Sequence, residues 1–61
     1  MDKDKVRIKR VLKGLSQEDL AKLANVDRSY ISQIESGKKT PSISVLERIA
    51  GALNCNLKDF F

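Results

Sequence analysis

The chain contains the segment Gln17-Glu-Asp-Leu-Ala-Lys-Leu-Ala-Asn-Val-Asp-Arg-Ser-Tyr-Ile-Ser-Gln-Ile-Glu-Ser-Gly37, which predicts two short helices separated by a tight turn. We expect the first helix over residues 17–24 and the second over residues 28–36. Gly37 follows the second helix, where a left-handed residue commonly ends one. The rest of the chain is interpreted as support for this helix pair.

The boundaries of the pair carry clear local signals. Ser16 is a favourable N-cap, and Asp19 three residues later completes a capping-box pattern. Asn25 suits a left-handed backbone at the end of a helix, and Val26 fills the bend. Asp27 is a candidate cap for the second helix. The two helices are expected to bury Leu20, Leu23, Ala24, Ile31 and Ile34.

A further helix is predicted before this pair, over residues 5–13, with Gly14 ending it. Its pattern is the least clear in the chain. One apolar set comprises Ile8, Val11, Leu12 and Leu15, whereas Val6 and Arg10 lie on another face. The spacing alone does not decide which set faces the core.

The clearest amphipathic pattern spans residues 43–54, with Ser42 as its cap. Its buried stripe is expected to be Leu46, Ile49, Ala50 and Leu53. Gly51 lies within this helix and suggests a close helix contact, because glycine weakens a helix by up to ~1 kcal/mol relative to alanine.

A last short turn is expected over residues 57–60. Cys55, Leu57 and Phe60 are predicted to close the core, with Phe61 less buried. No alternating strand pattern is present, so the sequence predicts one compact, all-α domain of five helices over residues 1–61.

The composition favours a polyanionic partner. Twelve Lys and Arg residues against eight Asp and Glu give a net charge of +4. Residues 1–13 carry six basic and two acidic side chains. Residues 14–27 carry one basic and three acidic side chains, and residues 28–40 carry three basic and one acidic. Two positive segments around a negative one suggest a positive face that fits nucleic acid. The alternative is a set of ordinary solvated helix ends.

The same composition excludes several classes of site. The chain has one cysteine and no histidine, which rules out an intrachain disulfide, a Cys/His zinc site and histidine-dependent catalysis. We therefore expect no enzyme activity, no metal and no cofactor. No apolar run reaches the ~20 residues of a membrane span, and no signal peptide is evident, so we expect a cytoplasmic protein.

The chain resembles the helix-turn-helix domain of the phage repressor and Cro type, the XRE family, over nearly its whole length. The matching residues are Arg10, Gly14-Leu15-Ser16-Gln17, Leu20-Ala21, Val26, Tyr30-Ile31-Ser32, Ile34-Glu35, Gly37-Lys38, Pro41-Ser42, Leu46, Ile49-Ala50 and Leu53. The sequence departs from the family at Lys9, where an apolar residue is usual, and at Asn25, where glycine is commoner. The resemblance implies a λ-repressor-like fold whose helix-turn-helix spans about residues 17–36.

A helix-turn-helix places its second helix in the major groove of DNA. The recognition helix is then 28–36, and the expected base contacts are its outward polar residues Arg28, Ser29, Ser32 and Gln33. The resemblance implies phosphate contacts for Gln17 and for the loop residues Lys38, Lys39 and Thr40. Tyr30 either contacts a phosphate or packs its ring on the protein surface.

The resemblance also implies a structural ion pair between Arg10 and Glu35, which holds the recognition helix; Arg10 could instead reach a phosphate. The candidates for a dimer contact are Leu57, Phe60 and Phe61, with Ser44 and Arg48 as possible neighbours. The alternative for Leu57 and Phe60 is that they only fill the core.

The expected function is a transcriptional regulator that binds a double-stranded DNA operator, as a homodimer on a palindromic site. It would be bacterial or phage-encoded and nucleoid-associated, as a Cro-like repressor or a restriction-modification controller, with RNA polymerase as a possible partner. The alternative is an antitoxin-type module that binds a protein partner and its own operator.

Overall fold

A computed structural model describes all 61 residues of the chain. It contains four α-helices, α1 (Lys3–Leu12), α2 (Gln17–Ala24), α3 (Arg28–Glu35) and α4 (Ile43–Ala52), followed by a short 3-10 turn (Leu57–Phe60). The all-α prediction is confirmed, but the expected count of five helices is wrong. The last element is a single turn, so the domain has four α-helices.

Local chemistry explains why α2 begins and ends where predicted. The Ser16 hydroxyl accepts a hydrogen bond from the Asp19 backbone N–H at 3.0 Å. The Asp19 carboxylate in turn accepts one from the Ser16 backbone N–H at 3.0 Å, which completes the capping box. Asn25 ends the helix with φ 58° and ψ 49°, the left-handed conformation that asparagine tolerates.

The start of α3 differs from expectation. Asp27 occupies the N-cap position, but its side chain makes no capping hydrogen bond. Its backbone carbonyl instead accepts from the N–H groups of Tyr30 at 3.0 Å and Ile31 at 3.3 Å. Gly37, at φ 83°, lies just beyond the end of α3 in a conformation that strongly favours glycine.

The core lies between α2, α3 and α4 and is closed by α1 and the 3-10 turn. The four residues of the predicted α4 stripe are buried, as are Leu20, Ala24, Ile31 and Ile34. The prediction that Leu23 is buried is wrong, because this residue is 61% exposed. The helix turns Leu20, Ala21 and Ala24 toward its neighbours, which leaves Leu23 on the solvent side.

The glycine inside α4 does not mark a close contact. A Cβ atom built on Gly51 would meet no other atom within 4 Å, so the predicted tight packing at this position is wrong. The Ser42 hydroxyl caps α4 by accepting from the Val45 N–H at 3.2 Å, as its sequence position predicted.

The structure settles which face of α1 is inward. Val6 is fully buried, whereas Ile8, Val11 and Leu12 are 50%, 56% and 80% exposed. The N-terminal end of the chain is fastened to the C-terminal end, since the Asp2 N–H donates to the Phe60 carbonyl at 2.6 Å. The Lys5 ammonium donates to the Phe61 carbonyl at 2.8 Å.

The C-terminal residues divide between core and surface. Phe60 is fully buried, and Phe61 is 60% exposed, while Cys55 and Leu57 pack against the core with part of their surface free. Phe60 is therefore not available for a dimer contact, because its side chain has no exposed surface. None of the helices has both the length and the apolar character needed to cross a membrane.

Candidate nucleic-acid interface

The two sides of α3 differ in chemistry. Ile31 and Ile34 are fully buried and fix the inward side of the helix. The predicted base-contacting residues lie on the opposite side, where Arg28 and Ser29 are exposed and Ser32 and Gln33 are half-buried. Burial of two isoleucines thus presents a row of hydrogen-bonding side chains along the outer side of α3.

A nearly buried ion pair fastens the C-terminal end of α3 to α1. The Arg10 Nε lies 2.7 Å from Glu35 Oε2 and its Nη2 lies 3.0 Å from Glu35 Oε1, which is a bidentate pair. The two side chains are only 12% and 3% exposed. Hydrogen bonding to Glu35 raises the pKa of Arg10 above its ordinary value, against the opposing effect of burial. The pair leaves Arg10 facing Glu35 rather than solvent.

Two further hydrogen bonds extend this pair into a network. The third Arg10 nitrogen, Nη1, donates to the Leu15 carbonyl at 2.7 Å. Gln17, half-buried at the start of α2, donates from its side-chain nitrogen to Glu35 Oε1 at 3.2 Å. The network therefore joins α1, the loop after it, α2 and α3 at one point.

Sequence reasoning missed the contact between Gln17 and Glu35. The two residues are separated by 18 positions, and no local pattern links them. The angle between α2 and α3, which the Asn25 turn sets, brings the amide to the carboxylate. The one available signal was that a bidentate arginine fills two of the about four acceptor positions of a carboxylate, which leaves room for a further donor.

The basic loop after α3 folds back onto that helix. The backbone N–H groups of Lys38 and Lys39 both donate to the Gln33 carbonyl, at 2.9 and 3.1 Å. The side chains of Lys38, Lys39 and Thr40 are exposed. The backbone of the basic loop is thus fastened to the end of α3, and its two lysine side chains are open to anions.

The ring of Tyr30 packs against the core and is partly buried. The Lys39 ammonium lies 5.9 Å from the centroid of this ring, within the range of a cation–π contact. The tyrosine thereby links the basic loop to the first turn of α3.

Comparison with known proteins identifies the family. The family model described as helix-turn-helix matches residues 6–60, which include every helix except the first residues of α1. An uncharacterized helix-turn-helix transcriptional regulator of Methanocaldococcus jannaschii is 41% identical over 59 residues, which cover 97% of this chain and 89% of that protein.

A phage repressor and a restriction-modification controller are among the similar proteins. The immunity repressor of Bacillus phage phi105 is 49% identical over 49 residues, which cover 77% of this chain and 34% of the repressor. The crystal structure of the restriction-modification controller protein C.AhdI from Aeromonas hydrophila superposes with a TM-score of 0.94 at 37% identity, covering 97% of this chain and 89% of the controller. The chain belongs to the helix-turn-helix family of the phage repressor and Cro type, and it is a DNA-binding transcriptional regulator.

Proposed function

We propose that α3 lies in the major groove of a specific DNA operator and that its outer side reads the base sequence. One observation carries this proposal. The polar residues of α3 lie opposite two fully buried isoleucines, and the end of the helix is fixed by a bidentate ion pair. A rigidly held helix presents its donors and acceptors in a defined orientation, which base recognition requires.

The chemistry of the four outer residues suits base edges. The Arg28 guanidinium is able to donate two hydrogen bonds to guanine O6 and N7, and the Gln33 amide to pair with adenine N6 and N7. Ser29 and Ser32 offer hydroxyl groups that donate or accept. Each bidentate contact contributes about 1–3 kcal/mol of discrimination between bases.

A second set of residues positions the protein without selecting a sequence. We assign phosphate contacts to Gln17, Lys38, Lys39 and Thr40, and to the Tyr30 hydroxyl. Phosphate contacts of this kind fix the register on the duplex. Since Gln17 also contacts Glu35 at 3.2 Å, a phosphate at the start of α2 would be linked directly to the end of α3.

The regulator is proposed to act as a homodimer on a palindromic site, in the cytoplasm at the nucleoid. Two copies would place their α3 helices about one helical turn of DNA apart. Phe61, which is 60% exposed, and the free part of Leu57 remain the candidates for the contact between copies. Similarity to an immunity repressor and to a restriction-modification controller supports a role at promoters, where the bound protein would block or recruit RNA polymerase.

Selection from a randomised duplex library tests this proposal. The winning duplex is titrated against a scrambled duplex at two salt concentrations. A palindromic winner that binds much more tightly than scrambled DNA is the expected result, and its symmetry gives the half-site spacing. Equal binding to all duplexes, with affinity falling steeply as salt rises, would show contact with phosphates alone.

A further inference from the structure

A shallow groove runs beside α1, between that helix and the segment that follows α4. It comprises two adjoining cavities of about 400 and 280 Å³ that share Lys9 and Leu12. Ile8 and Leu12 line its α1 side, and Leu53 and Cys55 line the other. We call this feature the α1 groove. We propose that the α1 groove binds an acidic amphipathic helix of a protein partner.

The apolar surface of the groove is not used by the fold. Leu12 is 80% exposed and Ile8 is 50% exposed, whereas α1 buries only Val6 fully. Val11, at 56% exposure, extends the same surface by one step around the helix. Contiguous apolar side chains with polar neighbours mark interaction sites on small domains, and burial of this stripe would be favourable for a partner with its own apolar face.

The rim of the groove selects the charge of that partner. Lys5, Lys9 and Lys13 recur at four-residue intervals and lie along one edge of α1. Lys5 is engaged with the Phe61 carbonyl. Lys9 and Lys13 lie one above the other on α1, about 6 Å apart along the helix axis at the backbone. Asp59 is the single acidic residue in the lining. A helix with carboxylates four residues apart matches this spacing.

The groove is separate from the DNA-binding surface. Its lining comes from α1, the end of α4 and the residues after it, and includes none from α2, α3 or the loop at residues 38–40. Phosphates would satisfy the lysines but would leave Leu12 and Ile8 in water. A second copy of this chain would bring two basic rims together, with one Asp59 from each copy in return. An acidic helix satisfies both the apolar stripe and the rim.

The test uses three synthetic peptides of about four helical turns that share one leucine stripe and differ only in flanking glutamate, glutamine or lysine. Each is titrated into the isotope-labelled protein, and backbone amide shifts are followed by NMR. We expect the glutamate peptide to bind at least about tenfold more tightly than the lysine peptide. The shifts should be confined to residues around Leu12 and Cys55.

Substitutions then locate the site. Leu12→Ser should abolish binding, while Leu23→Ser, the same change at a leucine that is 61% exposed on α2, should leave it unchanged. The double variant Lys9→Glu/Lys13→Glu should reverse the order of the peptides. The two serine variants should bind DNA as the parent does, so a failure here is distinguishable from a failure of the DNA-binding proposal.

Four results would overturn the proposal. The peptides could bind without regard to flank charge, or shift residues of α3 instead. Leu12→Ser could change the sedimentation coefficient of the protein, which would make the groove a contact between copies. Vesicles of anionic lipid could bind through Leu12 when the glutamate peptide does not, which would assign the surface to a membrane.

Discussion

The helices α1 and α3 meet at one ion pair but use their isoleucines in opposite ways. Ile31 and Ile34 of α3 are fully buried, and the outer side of that helix is polar. Ile8 of α1 is 50% exposed, and the inward side of α1 holds Val6 and the guanidinium of Arg10. One helix is therefore held mainly by apolar burial, and the other by one valine, a buried charge pair and its ties to the C-terminus.

This difference gives the two helices different properties: α3 is fixed in one orientation, whereas α1 keeps apolar side chains exposed. The helix α3 has an apolar inner side that fixes its rotation, so its outer side is presented in one orientation. α1 fixes α3 through Arg10 while keeping its own apolar stripe free for another contact. The Arg10–Glu35 pair connects the two helices. Its loss should lower the stability of the domain more than any other single substitution.

Replacement of Glu35 by alanine should destabilise the domain by about 3–5 kcal/mol, since it leaves the Arg10 charge buried without a partner. A domain of this size has a total stability of roughly 3–9 kcal/mol, so the melting temperature should fall steeply. The affinity of the folded fraction for DNA should fall less. Thermal unfolding and low-temperature DNA titration measure the two effects.

The control for this variant is Asp4→Ala, which breaks the Lys3–Asp4 pair at 3.2 Å. Both side chains of that pair are largely exposed, and its loss should change stability by no more than about 1 kcal/mol. An unchanged melting temperature in Glu35→Ala would contradict the structural role of the pair.

The two helices also offer the same substitution in opposite environments. Ile31→Ala on α3 should destabilise the domain by about 2–5 kcal/mol, because it opens a cavity in the core. Ile8→Ala on α1 should change stability by at most about 0.5 kcal/mol, as a substitution at a half-exposed site. Denaturant unfolding measures both, and similar losses from the two variants would show that the α1 stripe is part of the core.

Loss of the α2 cap should destabilise the domain less than Glu35→Ala or Ile31→Ala. Ser16→Ala removes the oxygen that accepts from the Asp19 N–H at 3.0 Å, and N-cap removal typically destabilises a protein by about 1 kcal/mol. The change is measured by urea unfolding. Ser29→Ala, on the exposed first turn of α3, is the matched control and should be close to neutral.

The smallest effect is a pH dependence from the same capping box. Hydrogen bonds from the backbone and hydroxyl of Ser16 lower the pKa of Asp19 below its ordinary value. The stabilisation is therefore fully present above the pKa of the unfolded chain and is lost as the pH falls through the lower, folded pKa. The urea concentration at the unfolding midpoint should fall less at acidic pH in Asp19→Asn than in the parent. An identical fall in both proteins would show that other carboxylates cause the pH dependence.

Local signals predicted α2 and the turn after it, because the Ser16–Asp19 box and Asn25 act within a few residues. The facing of α1 was not predictable, since helical periodicity gives the two faces but not the one that meets the core. Both sets were open from the spacing, and the structure turns Val6 and the paired Arg10 inward while Ile8, Val11 and Leu12 stay exposed. The burial of Leu23 was wrongly predicted for a related reason, because the small residues Ala21 and Ala24 set the packed side of α2.

The candidate site was predictable to the extent that it lies on one helix. Arg28, Ser29, Ser32 and Gln33 share a side of α3 by periodicity alone. The Gln17–Glu35 contact and the Lys39–Tyr30 contact depend on how separate segments meet, which no local pattern encodes.

One titration tests whether α3 reads the base sequence. It gives the ratio of the affinities for the selected and scrambled duplexes at one salt concentration, for the parent and for the variants Gln33→Ala and Lys38→Ala. We expect Gln33→Ala to reduce this ratio by the equivalent of about 1–3 kcal/mol. Lys38→Ala should weaken both duplexes alike and leave the ratio unchanged. An unchanged ratio in Gln33→Ala and in the parallel variant Arg28→Ala would show that the outer side of α3 does not read the operator.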